Sequence, residues 1–178
     1  MMLFKVLSRL LDYPDQELYD KLPELHAMIS GEDSLPAETR VLLGHFMRWA
    51  QHRTLTQWQA NYVQTFDLAQ DHSLHLTHHT FGDDRGRGPA LIELDEHFKS
   101  YGYEVNERRE LPDYLPLILE YVSTLDDMQA CWFLGQMKRV LQLLAENLDK
   151  AESPYAALVR LVESLASVIP RDDLARSA

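Results

Sequence analysis

Apolar residues recur along most of the chain in steps of three and four, the spacing that lines one face of an α-helix. Leu3, Val6, Leu7, Leu10 and Leu11 form the first stripe. Pro14 ends it at Tyr13, because a residue before proline is pushed out of the α region. Asp15 then caps a second helix carrying Leu18, Leu22, Leu25 and Ile29, with a kink expected at Pro23 and a stop at Ser30-Gly31. A third helix takes Pro36 as its first residue and groups Leu42, Phe46 and Trp49, leaving His45 and His52 to the surface. Thr54-Leu-Thr-Gln57 has the spacing of a capping box and opens a fourth, with Trp58, Tyr62 and Phe66 four residues apart.

A polar stretch follows, and then the helical pattern resumes. Pro89 starts a helix with Leu91, Leu94, Phe98 and Tyr101 inward, closed by Gly102. Asp113 is placed to cap a helix from Tyr114 to Leu125, in which Leu115, Ile118, Leu119 and Val122 share a face and Pro116 is tolerated in the first turn. Asp126-Asp127 start the longest helix, through Leu134, Met137, Leu141, Leu144 and Leu148. Ser153-Pro154 opens the last, with Leu158, Leu161, Val162, Leu165 and Val168. No segment sustains a period of two, so the fold expected is all-α, a single-domain compact bundle of about eight helices spanning residues 1–178.

Composition narrows the class of function. A chain of 178 residues can bury one good core, and no apolar run approaches the ~18 residues that span a bilayer. Lys5 and Arg9 interrupt the apolar start, which therefore reads as an amphipathic helix and not an export signal. The single cysteine, Cys131, excludes an intramolecular disulfide and any cysteine-rich metal site, and fits a reducing, cytoplasmic compartment. A net charge of -11 repels nucleic acid and anionic lipid and favours cationic partners. Between Glu104 and Asp127 seven acids face two arginines, a favourable field for a basic peptide.

The polar stretch from Ser73 to Gly88 holds more chemistry than a scaffold requires. On a helix, His75 would share a face with both His72 and His79, which keeps open a His-rich metal site or a metal-dependent hydrolase. The interleaved Leu74, Leu76 and Phe81 favour histidines that hydrogen-bond locally. Asp71-His72 has the pairing of a metal-dependent phosphohydrolase without further spaced ligands, and no nucleophile elbow, phosphate loop or redox pair is present. Asp83-Asp84-Arg85-Gly86-Arg87-Gly88 makes a charged turn: either a corner in which Arg85 or Arg87 ties Asp84 or Glu93, or arginines presented to an anion or a peptide.

Tyr62-Val-Gln-Thr-Phe-Asp67, Ser73-Leu, His78, Gly82, Arg85-Gly-Arg-Gly-Pro-Ala90 and Glu110-Leu-Pro-Asp-Tyr-Leu-Pro-Leu-Ile-Leu-Glu-Tyr121 together resemble the NarJ family. These are delta-subunit chaperones of respiratory nitrate reductase, within the wider TorD-like group of redox-enzyme maturation proteins. The likeness is specific over residues 62 to 121 and looser from Val6-Leu-Ser-Arg-Leu-Leu-Asp-Tyr-Pro14 onward. It implies an all-helical cytoplasmic chaperone, not an enzyme, that binds the N-terminal leader of the nitrate reductase alpha subunit. The resemblance further implies that it assists molybdenum cofactor insertion before membrane attachment. Molybdenum cofactor biosynthesis proteins are further implied partners. No cofactor is held stably and no metal is expected, contact with the molybdenum cofactor being transient.

By match to the family's motifs, Tyr62, Phe66 and Asp67 belong to a helix lining the peptide groove. Glu110, Pro112, Asp113 and Tyr114 belong to a Glu-x-Pro-Asp-His-like signature, from which the chain departs at Tyr114. His78, His79, Asp84, Arg85 and Arg87 are expected to touch the partner or the cofactor. Many members continue past residue 178 into an acidic tail absent from this sequence. The residues themselves suggest the same mechanism: Tyr62, Phe66, Leu115 and Ile118 as an apolar groove, and Asp67, Glu110 and Asp113 as an acidic rim for a cationic amphipathic helix.

Overall fold

A computed structural model describes residues 2–82, 84–103 and 110–166. Val168 of the last stripe, Asp83 of the charged turn, and Glu104, Glu107, Arg108 and Arg109 of the acidic segment lie outside the described residues. The first four helices follow the stripes: α1 (Met2–Leu11), α2 (Gln16–Ser30), α3 (Ala37–Gln51) and α4 (Leu55–Tyr62). Asp15 caps α2 by accepting the Leu18 N–H at 2.7 Å, and Thr54 and Gln57 complete the capping box of α4. Pro36 stands one position before α3 instead of inside it.

After Tyr62 the α-helix gives way to a π turn, Val63–Asp67, in which the Leu68 N–H reaches the Val63 carbonyl five residues back. A 3-10 turn, Gln70–His72, and a short α5 (Leu76–Phe81) come next. The chain continues through α6 (Arg87–Ser100), α7 (Leu115–Val122), α8 (Asp127–Gly135), α9 (Lys138–Lys150) and α10 (Ala156–Leu165). Among the described residues ten α-helices thus replace the eight expected, because the polar stretch forms α5 and the predicted longest helix is two. At Gln136 and Met137 the amides turn to carbonyls three residues back, Phe133 and Leu134, and the axis breaks between α8 and α9. Among the described residues there is no strand, and none of the helices is long and apolar enough to cross a membrane.

One apolar core runs through the fold. α1 lies chiefly against α7, α9 against α10, and α2 against α3. Ser8 of α1 donates to the Pro116 carbonyl at 2.8 Å, pinning α1 to the first turn of α7. Trp58, Tyr62 and Phe66 all point inward and converge with Phe46 on Tyr155, whose hydroxyl accepts the Trp58 Nε1–H at 2.8 Å. A second aromatic cluster holds Phe98, Tyr121 and Phe133 together. α6 departs from expectation: Phe98 is buried, Leu91 and Leu94 are half-buried, and Tyr101 is 58% exposed.

Candidate functional site

The π turn, the segment 70–78 and the bend at Glu110–Tyr114 meet at an open cleft. An antiparallel bridge between His75 and Tyr114 fixes that meeting. The Leu76 N–H donates to the Asp113 carbonyl at 3.0 Å, and the Leu115 N–H to the Leu74 carbonyl at 2.8 Å. His75 and Tyr114 lie 5.2 Å apart ring to ring.

Beneath the bridge sits the side chain of Asp113, fully buried. It does not cap α7, where Tyr114 is the capping position and makes no side-chain cap bond. Its oxygens turn the other way: Oδ1 accepts from His75 Nδ1 at 3.1 Å, and Oδ2 accepts from the backbone N–H of Thr77 at 3.2 Å and from the Thr77 hydroxyl. Arg87 Nη2 lies 3.5 Å from Oδ2, and Arg87 Nε donates to Thr77 Oγ1 at 3.0 Å. Burial by itself pushes the carboxyl up, but hydrogen bonds from His75 and Thr77, with the charges of His75 and Arg87, outweigh it and hold Asp113 below its ordinary range. Because a carboxylate only accepts, His75 carries its proton on Nδ1.

The cleft above this floor has two lobes that share Phe66, Asp67, Ser73 and His75. One, of about 180 Å³, adds Gln70, His78 and Arg87. The other, of about 230 Å³, adds Tyr13, Tyr62, Leu74, Glu110 and Tyr114. In the larger lobe the tyrosine hydroxyls are already engaged. Tyr62 and Tyr114 oxygens are 2.8 Å apart, Tyr114 is 3.1 Å from Asp12 Oδ1, and Tyr62 is 3.1 Å from the Leu11 carbonyl. The carboxylate is the strongest acceptor of the set, so Tyr114 donates to Asp12, and the single Tyr62 proton is shared between the Leu11 carbonyl and the Tyr114 oxygen. Burial first, then the neighbouring Tyr114 and Asp12, raises Tyr62; burial and Asp12 raise Tyr114. Both remain phenols.

The expected site residues are distributed unevenly around this cleft. Phe66 and Tyr62 reach it only by an edge, since both are almost wholly buried. Leu115 and Ile118 have no exposed surface and belong to the core, so the groove wall assigned to them is corrected. Asp67 and Glu110 are exposed and flank the opening, whereas Asp113 lies under the floor and is no rim. Pro112 is half-buried beside them. His78 lines the smaller lobe, and His79 donates from Nε2 to the Ser73 carbonyl at 2.7 Å. Burial, followed by the weaker repulsion of His78, lowers His79 against the opposing pull of that carbonyl bond.

The charged turn departs from the salt-bridged corner that the sequence offered. Asp84 accepts the Gly86 N–H at 2.7 Å, Arg87 crosses to Asp113 instead of Asp84 or Glu93, and Arg85 remains exposed. No helix carries His72, His75 and His79 on one face. His72 is in the 3-10 turn with Nδ1 donating to the Thr65 carbonyl, His75 is in the bridge, and His79 is in α5. Among the described residues no three His, Cys, Asp or Glu side chains converge on a point that could hold a metal ion.

Sequence reasoning missed Tyr13, which is 45% exposed and packs edge-on against Tyr62 at 5.5 Å. It also missed Gln70, Ser73 as a cleft residue, and the pairing of His75 and Thr77 with Asp113. Ser73-Leu and the histidine run were visible, but their partner 36 to 38 residues away was not.

Comparison with known proteins places this chain in a family. Residues 32–160 match the nitrate reductase delta subunit family. The nitrate reductase molybdenum cofactor assembly chaperone NarJ of Escherichia coli K12 is 37% identical over 162 residues, covering 91% of this chain and 68% of the relative. The Probable nitrate reductase molybdenum cofactor assembly chaperone NarW of the same strain is 33% identical over 166 residues, 93% of this chain and 68% of the relative. In Bacillus subtilis 168 the Probable nitrate reductase molybdenum cofactor assembly chaperone NarJ is 31% identical over 159 residues, 89% of this chain and 85% of the relative. An all-α fold with a match over most of its length and relatives above 30% identity together establish that the chain belongs to the nitrate reductase delta subunit family, the NarJ family.

Proposed function

We propose that this chain is a cytoplasmic assembly chaperone of nitrate reductase that binds the N-terminal leader of the catalytic alpha subunit in the two-lobed cleft. It holds that subunit while molybdenum cofactor is inserted and before the complex attaches to the membrane. The named relatives are assembly chaperones, not catalysts, and the chain shares that non-enzymatic class. The observation that carries the reading is the cleft itself: an aromatic floor edged by Tyr13, Tyr62 and Phe66, with the exposed carboxylates of Asp67 and Glu110 at its sides.

A leader that folds as an amphipathic helix gains ~1.5–3 kcal/mol for each large apolar side chain it buries. Ordering a flexible segment takes back about 2–5 kcal/mol, which keeps the complex releasable. The acidic rim adds on-rate and orientation more than raw affinity. Contact with the molybdenum cofactor is the secondary part of the proposal. It falls to exposed Arg85, since Arg87 is engaged with Asp113 and Thr77.

Titration calorimetry with the alpha-subunit leader peptide tests the assignment. Asp67→Lys and Glu110→Lys are surface changes that leave the core alone, and each is expected to weaken binding by about tenfold through charge reversal. Wild-type affinity in both variants would remove the leader from this cleft.

A further inference from the structure

The two lobes of the cleft differ in chemistry, and the larger one is selective in a way that the rim alone is not. Its lining offers ring surface from Tyr13 and Tyr114 and carboxylates from Asp67 and Glu110. Its two inner hydroxyls, of Tyr62 and Tyr114, are committed to each other and to Leu11 and Asp12, while Tyr13 and Ser73 add hydroxyls that can accept an N–H. Asp12 does not add to the negative charge of the lobe, since Arg9 lies 3.6 Å from it. Among the described residues, by contrast, neither Asp67 nor Glu110 has a hydrogen-bond or ion-pair partner. An incoming group therefore meets aromatic faces and two carboxylates that no described side chain answers.

We infer that the larger lobe is a guanidinium subsite: it takes the side chain of an arginine from the bound peptide, in preference to lysine and to any neutral or anionic side chain. A guanidinium is planar and weakly hydrated, stacks on tyrosine rings, and presents a fork of N–H donors to carboxylates. Lysine's compact, strongly hydrated ammonium can meet the carboxylates but does not stack on the rings. A volume of about 230 Å³ admits the head group and part of its stem. The smaller lobe shares Asp67 but lacks the tyrosine faces and Glu110. The two lobes together set the register of the peptide by seating its arginine on the Tyr13 side. This inference rests on the reading of the cleft as a peptide site, and sharpens it.

Two probes separate the subsite from that reading. The first is Nα-acetyl-arginine methylamide, with its lysine and citrulline counterparts, titrated into the full chain while the Tyr13 and Tyr114 ring resonances are followed by NMR. Saturable shifts are expected for the arginine compound, at least about threefold weaker binding for lysine, and none for citrulline, which keeps the shape without the charge. Glu110→Gln and Tyr13→Leu, both at exposed positions, are each expected to weaken the arginine compound by about fivefold.

The second probe is the leader peptide with each arginine replaced in turn by citrulline. One replacement is expected to weaken binding to the wild type by about tenfold and to have almost no further effect on Glu110→Gln. No saturable shift with the arginine compound, equal shifts with citrulline, or a citrulline penalty unchanged in Glu110→Gln would each overturn the subsite. A leader that fails to bind while the arginine compound binds as expected overturns the leader reading and leaves the subsite standing.

Discussion

Taking a carboxylate out of water costs several kcal/mol unless its oxygens are matched by donors. Asp113 is matched on both: His75 serves one oxygen, and Thr77 and Arg87 serve the other. Its depressed pKa fixes the sign of the pH dependence. The stabilisation is fully present above the ordinary carboxyl value of 3.8 and is lost as pH falls through the still lower folded value. Asp113→Asn is expected to cost roughly 2–4 kcal/mol at pH 7, because Arg87 loses its charge partner and the His75 Nδ1–H its carboxylate acceptor. Urea titrations at pH 7 and near pH 3 check this: the gap between wild type and variant should shrink in acid, and a gap that widens would contradict it. Tyr155→Phe isolates a neutral case. It leaves the buried Trp58 Nε1–H without its acceptor and should cost about 1–2 kcal/mol, with no change in that gap between pH 7 and pH 5. The two residues also differ in how far the sequence betrays them. An aspartate before a helix reads as a cap, and nothing in local spacing says that its donors stand at His75 and Thr77.

At the scale of elements, stripes of apolar residues located every helix but the short α5, and did not say where a helix changes its winding. Trp58, Tyr62 and Phe66 at intervals of four satisfy an α stripe, and they remain inward when the last interval is wound as a π turn. The extra width at Val63–Asp67 leaves Phe66 in the core and Asp67 at the mouth of the cleft. Periodicity is equally blind to the break between α8 and α9, since the stripe from Leu134 to Leu148 runs on across it while the amides at Gln136 and Met137 shift to bonds of three residues. Signals that rest on a side chain closing its own helix end were clear, the Thr54–Gln57 box above all. Thr54→Ala is expected to cost about 1 kcal/mol by denaturant unfolding. It should leave leader affinity unchanged, because α4 reaches the cleft only through Tyr62, at its far end.

For the molecule as a whole, the acidic balance points to a cationic partner, and two of the acids stand at the cleft. Asp67 and Glu110 stand at the cleft, while many other acids are spent in local pairs such as Lys21 with Glu17, Lys99 with Asp95 and Arg160 with Asp149. Tyr13 escaped notice because it sits in the link after a proline-terminated helix, where no periodic pattern singles it out. A diffuse field and a local rim make different predictions about salt. Screening shortens the reach of exposed charges from about 10 Å at 0.1 M to about 3 Å at 1 M, so either would weaken leader binding as salt rises. The double variant Asp67→Asn/Glu110→Gln separates them. It removes only two negative charges from a net charge of -11, so a binding driven by the overall field would keep nearly all of its salt dependence. With a local rim, calorimetry between about 0.05 and 0.5 M salt should give the wild type a several-fold loss of affinity and the double variant a nearly flat response. A slope that survives in the variant would move the electrostatic contact away from the cleft.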